Sequence, residues 1–226
     1  ISQAGANVIW LENNSSSKSV ADRIKFKDYR SSENNPICNP ECRDEGMLIN
    51  LQNYIDEQNK RDTLVVLHTM GSHGPAYYKR YPEAFEVFKP ICKTNQLNEC
   101  SNEQISNAYD NTILYTDYFL SKVIELLKRN SQDSDTAMFY VSDHGESLGE
   151  GGVYLHGMPY FIAPNEQIDV PAFMWLDESI SEVFDKEKLR ENAGLPQTHD
   201  SLFHTLLGLM DVETKLYQKD MDLIAK

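Results

Sequence analysis

Four apolar runs constrain this chain more than any other feature: NVIWL at 7–11, TLVVL at 63–67, AMFYV at 137–141 and PAFMWL at 171–176. Each has the length of an ordinary strand. Each is apolar almost without alternation, the pattern of a strand covered on both faces, as in a parallel sheet. Helical stripes lie between them. In residues 44–58 the apolar positions are Met47, Leu48, Leu51, Tyr54 and Ile55, the three/four spacing of a buried helix face. Residues 102–129 carry the longest such stripe, from Ile105 and Ala108 to Leu126 and Leu127, and end on Lys128 and Arg129, which complement the negative end of a helix. A last helix is expected over about 199–210. Strands alternating with helices predict an α/β fold, a layered sheet with helices on both faces. No apolar run approaches the ~20 residues that cross a bilayer.

In sheets of this kind ligands gather outside the carboxyl ends of the strands. That rule selects four short segments: 12–18, 68–75, 143–156 and, after the last strand, Asp177. The formal charge of −14 bears on what could bind there. An acidic surface repels phosphate backbones, so nucleic acid is not an expected partner, and it disfavours broad adhesion to anionic membranes. An anionic ligand would need cations of its own within the site.

Asp143-His144 is the sharpest chemical feature. A carboxylate oxygen and an imidazole nitrogen are standard zinc donors, and a strand end followed by Gly145 can turn both toward one ion. Ser-Asp-His-Gly alone equally suits a turn or a helix cap. His73, in LHTMGSHGP, and His156, in YLHGMP, shift the balance: three histidines each precede a glycine in a loop, two of them just after expected strands. His68, at a strand end, reads as a hydrogen-bond partner behind such a site. LENNSSSKS, at 11–19, is either a solvated loop or a cradle in which Asn14 and Ser15 give directional hydrogen bonds and Lys18 a compact charge. Glu146 reads as a base behind the metal, a recogniser of an ammonium group, or a helix cap.

Four cysteines fall in two close pairs, Cys38 with Cys42 and Cys92 with Cys100, among Asn, Pro, Glu and Lys. Local disulfides are the simplest pairing and would place the protein outside the cytosol; free thiols and a zinc knot are the alternatives.

Taken together and in order, NNSSSK, ICNPECRDEGML, LHTMGSHGPAYYKRYP and YVSDHGESLGE…GVYLHGMP resemble the lipid A phosphoethanolamine transferases, which include the mobile colistin-resistance enzymes. The resemblance runs from NVIWLENNSSSK to THDSLFHTLLGLMD, nearly the whole chain. It implies an alkaline phosphatase/sulfatase-like fold. The implied enzyme depends on zinc and moves phosphoethanolamine from phosphatidylethanolamine to a lipid A phosphate through a phospho-threonine, conferring polymyxin (colistin) resistance. Its implied place is the periplasmic face of the bacterial inner membrane, held there by amino-terminal helices. Carried over by position, Asp143 and His144 are implied metal ligands, and His73 and His156 are implied catalytic residues beside the phosphate. Asn14, Ser15, Lys18 and Glu146 are implied head-group contacts, and both cysteine pairs match disulfide regions.

The family's remaining ligands, a glutamate and the nucleophilic threonine, have no matching motif here, and no threonine of this chain stands in such a context. ISQAGANVIWLEN reads as a helix tail, a glycine stop and a strand, the middle of a fold. Residues 1–226 are therefore expected to be the carboxyl-terminal portion of a single catalytic domain. Two other readings share the same strand-end residues: a sulfatase- or phosphodiesterase-type metallo-hydrolase with water as acceptor, and a non-catalytic binding module.

Overall fold

The computed structural model describes residues 1–59 and 61–225. Its strands form three small sheets among the described residues. In the first, β1 (Asn7–Glu12) is flanked by β2 (Lys25–Asp28) and β3 (Thr63–His68), all parallel, with Glu12 opposite His68 in the register. Residues 44–58 do not make one helix. They break into a 3-10 turn at Asp44–Leu48 and α1 (Leu51–Asp56), although the predicted stripe is kept: Met47 and Leu51 are buried.

The 29-residue α2 (Asn102–Asn130) supports the rest. Ile105, Ala108, Thr112, Tyr115, Phe119, Val123 and Leu126 are buried along one stripe. Its lower part packs with Ile9 and Leu11 of β1, Met47, Leu51 and Met138, and its first turns pack with Tyr77, Ile91 and Leu97. Ser101 starts the helix with a reciprocal cap: its hydroxyl accepts from Gln104 N at 3.2 Å, and Gln104 Oε1 accepts from Ser101 N at 2.9 Å. Ser101→Ala removes one half of that exchange and is expected to lower stability by about 1 kcal/mol, read as a shift of the urea midpoint.

Beyond α2 the chain forms β4 (Ala137–Val141), the short pair β5 (Ser147–Leu148) and β6 (Tyr154–Leu155), α3 (Asn165–Ile168) and β7 (Ala172–Leu176). Then follow α4 (Glu178–Val183), α5 (Lys186–Ala193) and α6 (Asp200–Leu209). The α/β expectation holds, but the direction of the last strand does not. β7 runs antiparallel to β4, with Ala137 opposite Leu176. Asp177 consequently falls at the start of β4, where its carboxylate accepts from Thr136 N at 2.9 Å, and not at the ligand edge. Cover on both faces is not met in every strand either, since β3 and β7 contain no buried residue, and apolar continuity carries no information about direction.

β3 and β4 share no ladder. Both line one cleft of 2420 Å³, together with Tyr109, Phe119 and Phe203. The two cysteine pairs are disulfides, Cys38–Cys42 and Cys92–Cys100.

Candidate metal centre

The loops after β3 and β4 meet at three imidazoles. His73, His144 and His156 each present a ligand atom, and these atoms all lie within 4.8 Å of one another. The ring centroids are 3.7 Å apart for His144 and His156, 5.2 Å for His73 and His156, and 6.1 Å for His73 and His144. Each ring uses Nδ1 on an acceptor: the Gly74 carbonyl at 2.7 Å for His73, the Gly145 carbonyl at 3.1 Å for His144, and Glu146 Oε1 at 3.1 Å for His156. A carbonyl can only accept, so Nδ1 of His73 and of His144 carries a proton, which leaves Nε2 as the nitrogen available to a ligand. This is how metal-binding histidines are usually held. The His-Gly dipeptides have a local reason: in two of the three, the residue after the histidine turns its carbonyl back onto the ring.

Three imidazoles gathered within ligand distance of one another suit a borderline divalent ion such as zinc. Asp143 sits at the margin. Its side chain is 75% exposed, and Oδ2 lies 3.7 Å from His144 Nε2, outside the three-histidine group.

Glu146 is 8% exposed and faces inward. Besides His156 it accepts from Gly74 N at 3.2 Å and from the Tyr77 hydroxyl at 3.3 Å, so one carboxylate ties the β3 loop to the β4 loop. Burial, with Glu146 beside it, pushes the Tyr77 phenol far up, and the hydroxyl stays a donor.

Three further groups organise the loops after β1 and β3, and the sequence alone did not single them out. Glu12 is fully buried and accepts from Trp10 Nε1 at 3.0 Å, Asn14 N at 2.8 Å and His68 Nδ1 at 2.9 Å. His68 thus has a buried carboxylate as its hydrogen-bond partner. Asp44 accepts from Asn13 Nδ2 at 2.7 Å, Met70 N at 2.8 Å and Gly71 N at 3.0 Å, which joins the β1 loop to the loop carrying His73. Burial drives its carboxyl up, against the pull of those donors. Arg80 Nε donates to the His73 carbonyl at 2.6 Å. The only cue was position: Glu12 ends a strand, Asp44 follows a disulfide and Arg80 follows the His73 loop.

Asn14, Ser15 and Lys18 share the loop after β1. Asn14 Oδ1 accepts from Ser15 N at 2.6 Å, Arg30 donates to the Ser15 carbonyl, and Ser15 and Lys18 are exposed. The hydrogen bonds of Asp44 connect this loop to the histidine loop, but the cradle itself opens to solvent.

A sulfatase family model matches residues 2–212. The chain is 47% identical over 219 residues to the phosphatidylethanolamine transferase Mcr-2 of Escherichia coli, covering 94% of this chain and 39% of that protein. It is 44% identical over 228 residues to the phosphoethanolamine transferase EptA of Escherichia coli, covering 99% and 42%. The chain thus spans about two fifths of the length of the curated relatives it matches. In structure it is similar to the soluble domain of lipooligosaccharide phosphoethanolamine transferase A from Neisseria meningitidis, with a TM-score of 0.92 and 43% identity over 99% of this chain and 68% of that one. Sequence and backbone agree along nearly the whole length: the relatives it matches are named as phosphoethanolamine transferases, and the chain belongs to the sulfatase family.

Proposed function

We propose that this chain is the carboxyl-terminal portion of the catalytic domain of a zinc-dependent phosphoethanolamine transferase. The enzyme takes its group from phosphatidylethanolamine and delivers it to a lipid A phosphate, and by capping that anion it confers polymyxin (colistin) resistance. It works at the periplasmic face of the bacterial inner membrane, anchored by helices outside these residues, where an oxidising compartment suits two disulfides.

The observation that carries the reading is the set of three histidines, each with Nδ1 engaged and each offering a ligand atom within 4.8 Å of the others. Zinc bound at His144 would supply Lewis-acid chemistry, lowering the pKa of a hydroxyl nucleophile and screening phosphoryl oxygens. His144 and, at the margin, Asp143 are the proposed ligands. His73 and His156 are proposed to face the phosphoryl group, where a second proton, on Nε2, lets each stabilise its charge and pass that proton to a leaving oxygen. Glu146 keeps the proton of His156 on Nδ1 and so fixes which nitrogen faces the substrate. Lys18, with Asn14 and Ser15, gives an otherwise acidic protein the local cation that a phosphate ester needs. The nucleophilic threonine is proposed to be supplied outside these residues, so the assay uses the full gene product.

Incubated with phosphatidylethanolamine, lipid A and zinc, that protein is expected to add phosphoethanolamine to lipid A, seen by mass spectrometry. His156→Ala is expected to slow transfer by roughly 10²–10⁴-fold. Release of phosphoethanolamine into water without transfer would instead identify a hydrolase, and an inert protein would identify a binding module.

A further inference from the structure

Three consecutive large apolar side chains stand in solvent on the loop that follows His156: Tyr160 is 79% exposed, Phe161 86% and Ile162 53%. They form the tip of a tight loop that Ile162 N and Ala163 N close by donating to the Pro159 carbonyl, at 2.9 and 3.0 Å. Pro159 and Pro164 stiffen its two ends. Gln167 fixes the loop to the site. Its carbonyl accepts from Gly145 N at 2.9 Å, its Oε1 accepts from Met158 N at 3.3 Å, and its Nε2 donates to Ser147 Oγ at 3.0 Å. Contact at Gly145 is close enough that a Cβ there would lie 2.0 Å from the Glu166 carbonyl oxygen. The loop cannot move far without moving His144.

Residues 153–164, VYLHGMPYFIAP, contain no Asp, Glu, Lys or Arg, in a chain that is 25% charged with a net charge of −14. A surface that must avoid repulsion by lipid head groups while offering apolar contact has this composition. Aromatic side chains settle at the level of the head groups, and a pre-formed rigid tip loses little entropy on entering that layer.

We propose that Tyr160, Phe161 and Ile162 insert into the outer layer of a lipid bilayer and seat the histidine centre against the head groups. The proposal rests on the lipid-substrate reading above. It adds a surface that engages the bilayer itself, apart from the reacting lipid.

Flotation of the 226-residue chain with neutral vesicles of phosphatidylcholine and phosphatidylethanolamine tests it. The chain is expected to float, and the combined Tyr160→Ser, Phe161→Ser and Ile162→Ser variant to partition about a hundredfold less, with an unchanged circular dichroism spectrum. In a second variant, Phe161→Trp, the added indole emission is expected to shift to the blue and to be quenched by lipids brominated along their acyl chains. Equal flotation of the serine variant, a folded parent that does not float, or an unquenched indole would each overturn the proposal. So would a parent that sediments as a dimer and a serine variant that is monomeric with flotation unaltered, since the tip would then be a contact between copies. The readout needs no turnover. A chain that floats, in a protein that transfers nothing, keeps the loop and loses the reaction; the converse result does the opposite.

Discussion

His144→Ala is expected to weaken zinc binding by about a hundredfold, measured by calorimetric titration of the purified chain. Closed four-ligand zinc sites are worth about 10–16 kcal/mol, so one donor accounts for about 3 kcal/mol, and about 1.4 kcal/mol is a factor of ten. The companion variant Glu146→Gln should lose only about tenfold, because it alters the orientation of His156 and removes no donor. The order matters more than either value. If His144→Ala bound zinc as tightly as the parent, His144 would not be a zinc ligand. If Glu146→Gln were the more damaging of the two, the carboxylate itself would be at the ion.

The second large effect is on stability. Asp44→Ala strands the Asn13 amide and the Met70 and Gly71 N–H groups in the interior, and should cost about 3–5 kcal/mol in urea denaturation. Its pH dependence has a definite sign. Burial raises the pKa of Asp44 above the ordinary 3.8, so the folded state holds the proton more tightly than the unfolded chain. That contribution is complete below 3.8 and is lost as pH climbs through the elevated value. Asp44→Asn cannot ionise. The advantage of the parent over Asp44→Asn should therefore be greatest at the acid end and shrink with rising pH. An advantage that grew with pH would mean that the three donors outweigh burial and hold the carboxylate charged.

Much of the frame was readable because it depends on local pattern. The runs at 7–11, 63–67 and 137–141 became β1, β3 and β4 almost residue for residue, and Ser101 and Gln104 bracket the start of α2 as a capping pair does. β2 was missed because KFKD offers one apolar residue and three charges, and it forms only because β1 is there to pair with it. The direction of β7 was misread because burial and direction are independent. In the site, the three histidines stood out through their shared glycine, but which of them face one another is a tertiary fact. The spacing of Asp143-His144 paired those two, whereas the fold turns His144 toward His73 and His156 and leaves Asp143 largely in water. Asp44 was invisible as an organiser because its partners lie 26 to 31 positions away. Glu12 resembled the first residue of a loop, and only its complete burial marks it as the anchor of His68 and Asn14.

His73 follows β3, His144 follows β4, and no backbone ladder joins those strands. Glu146 joins the two banks through Gly74 and Tyr77, and Leu148, Tyr154 and Leu155 pack on the cluster that holds Tyr77. An ion gripped from both banks would add a further rivet. Metal occupancy and mechanical stiffness then become one variable, and the melting temperature should climb with free zinc as mass action requires.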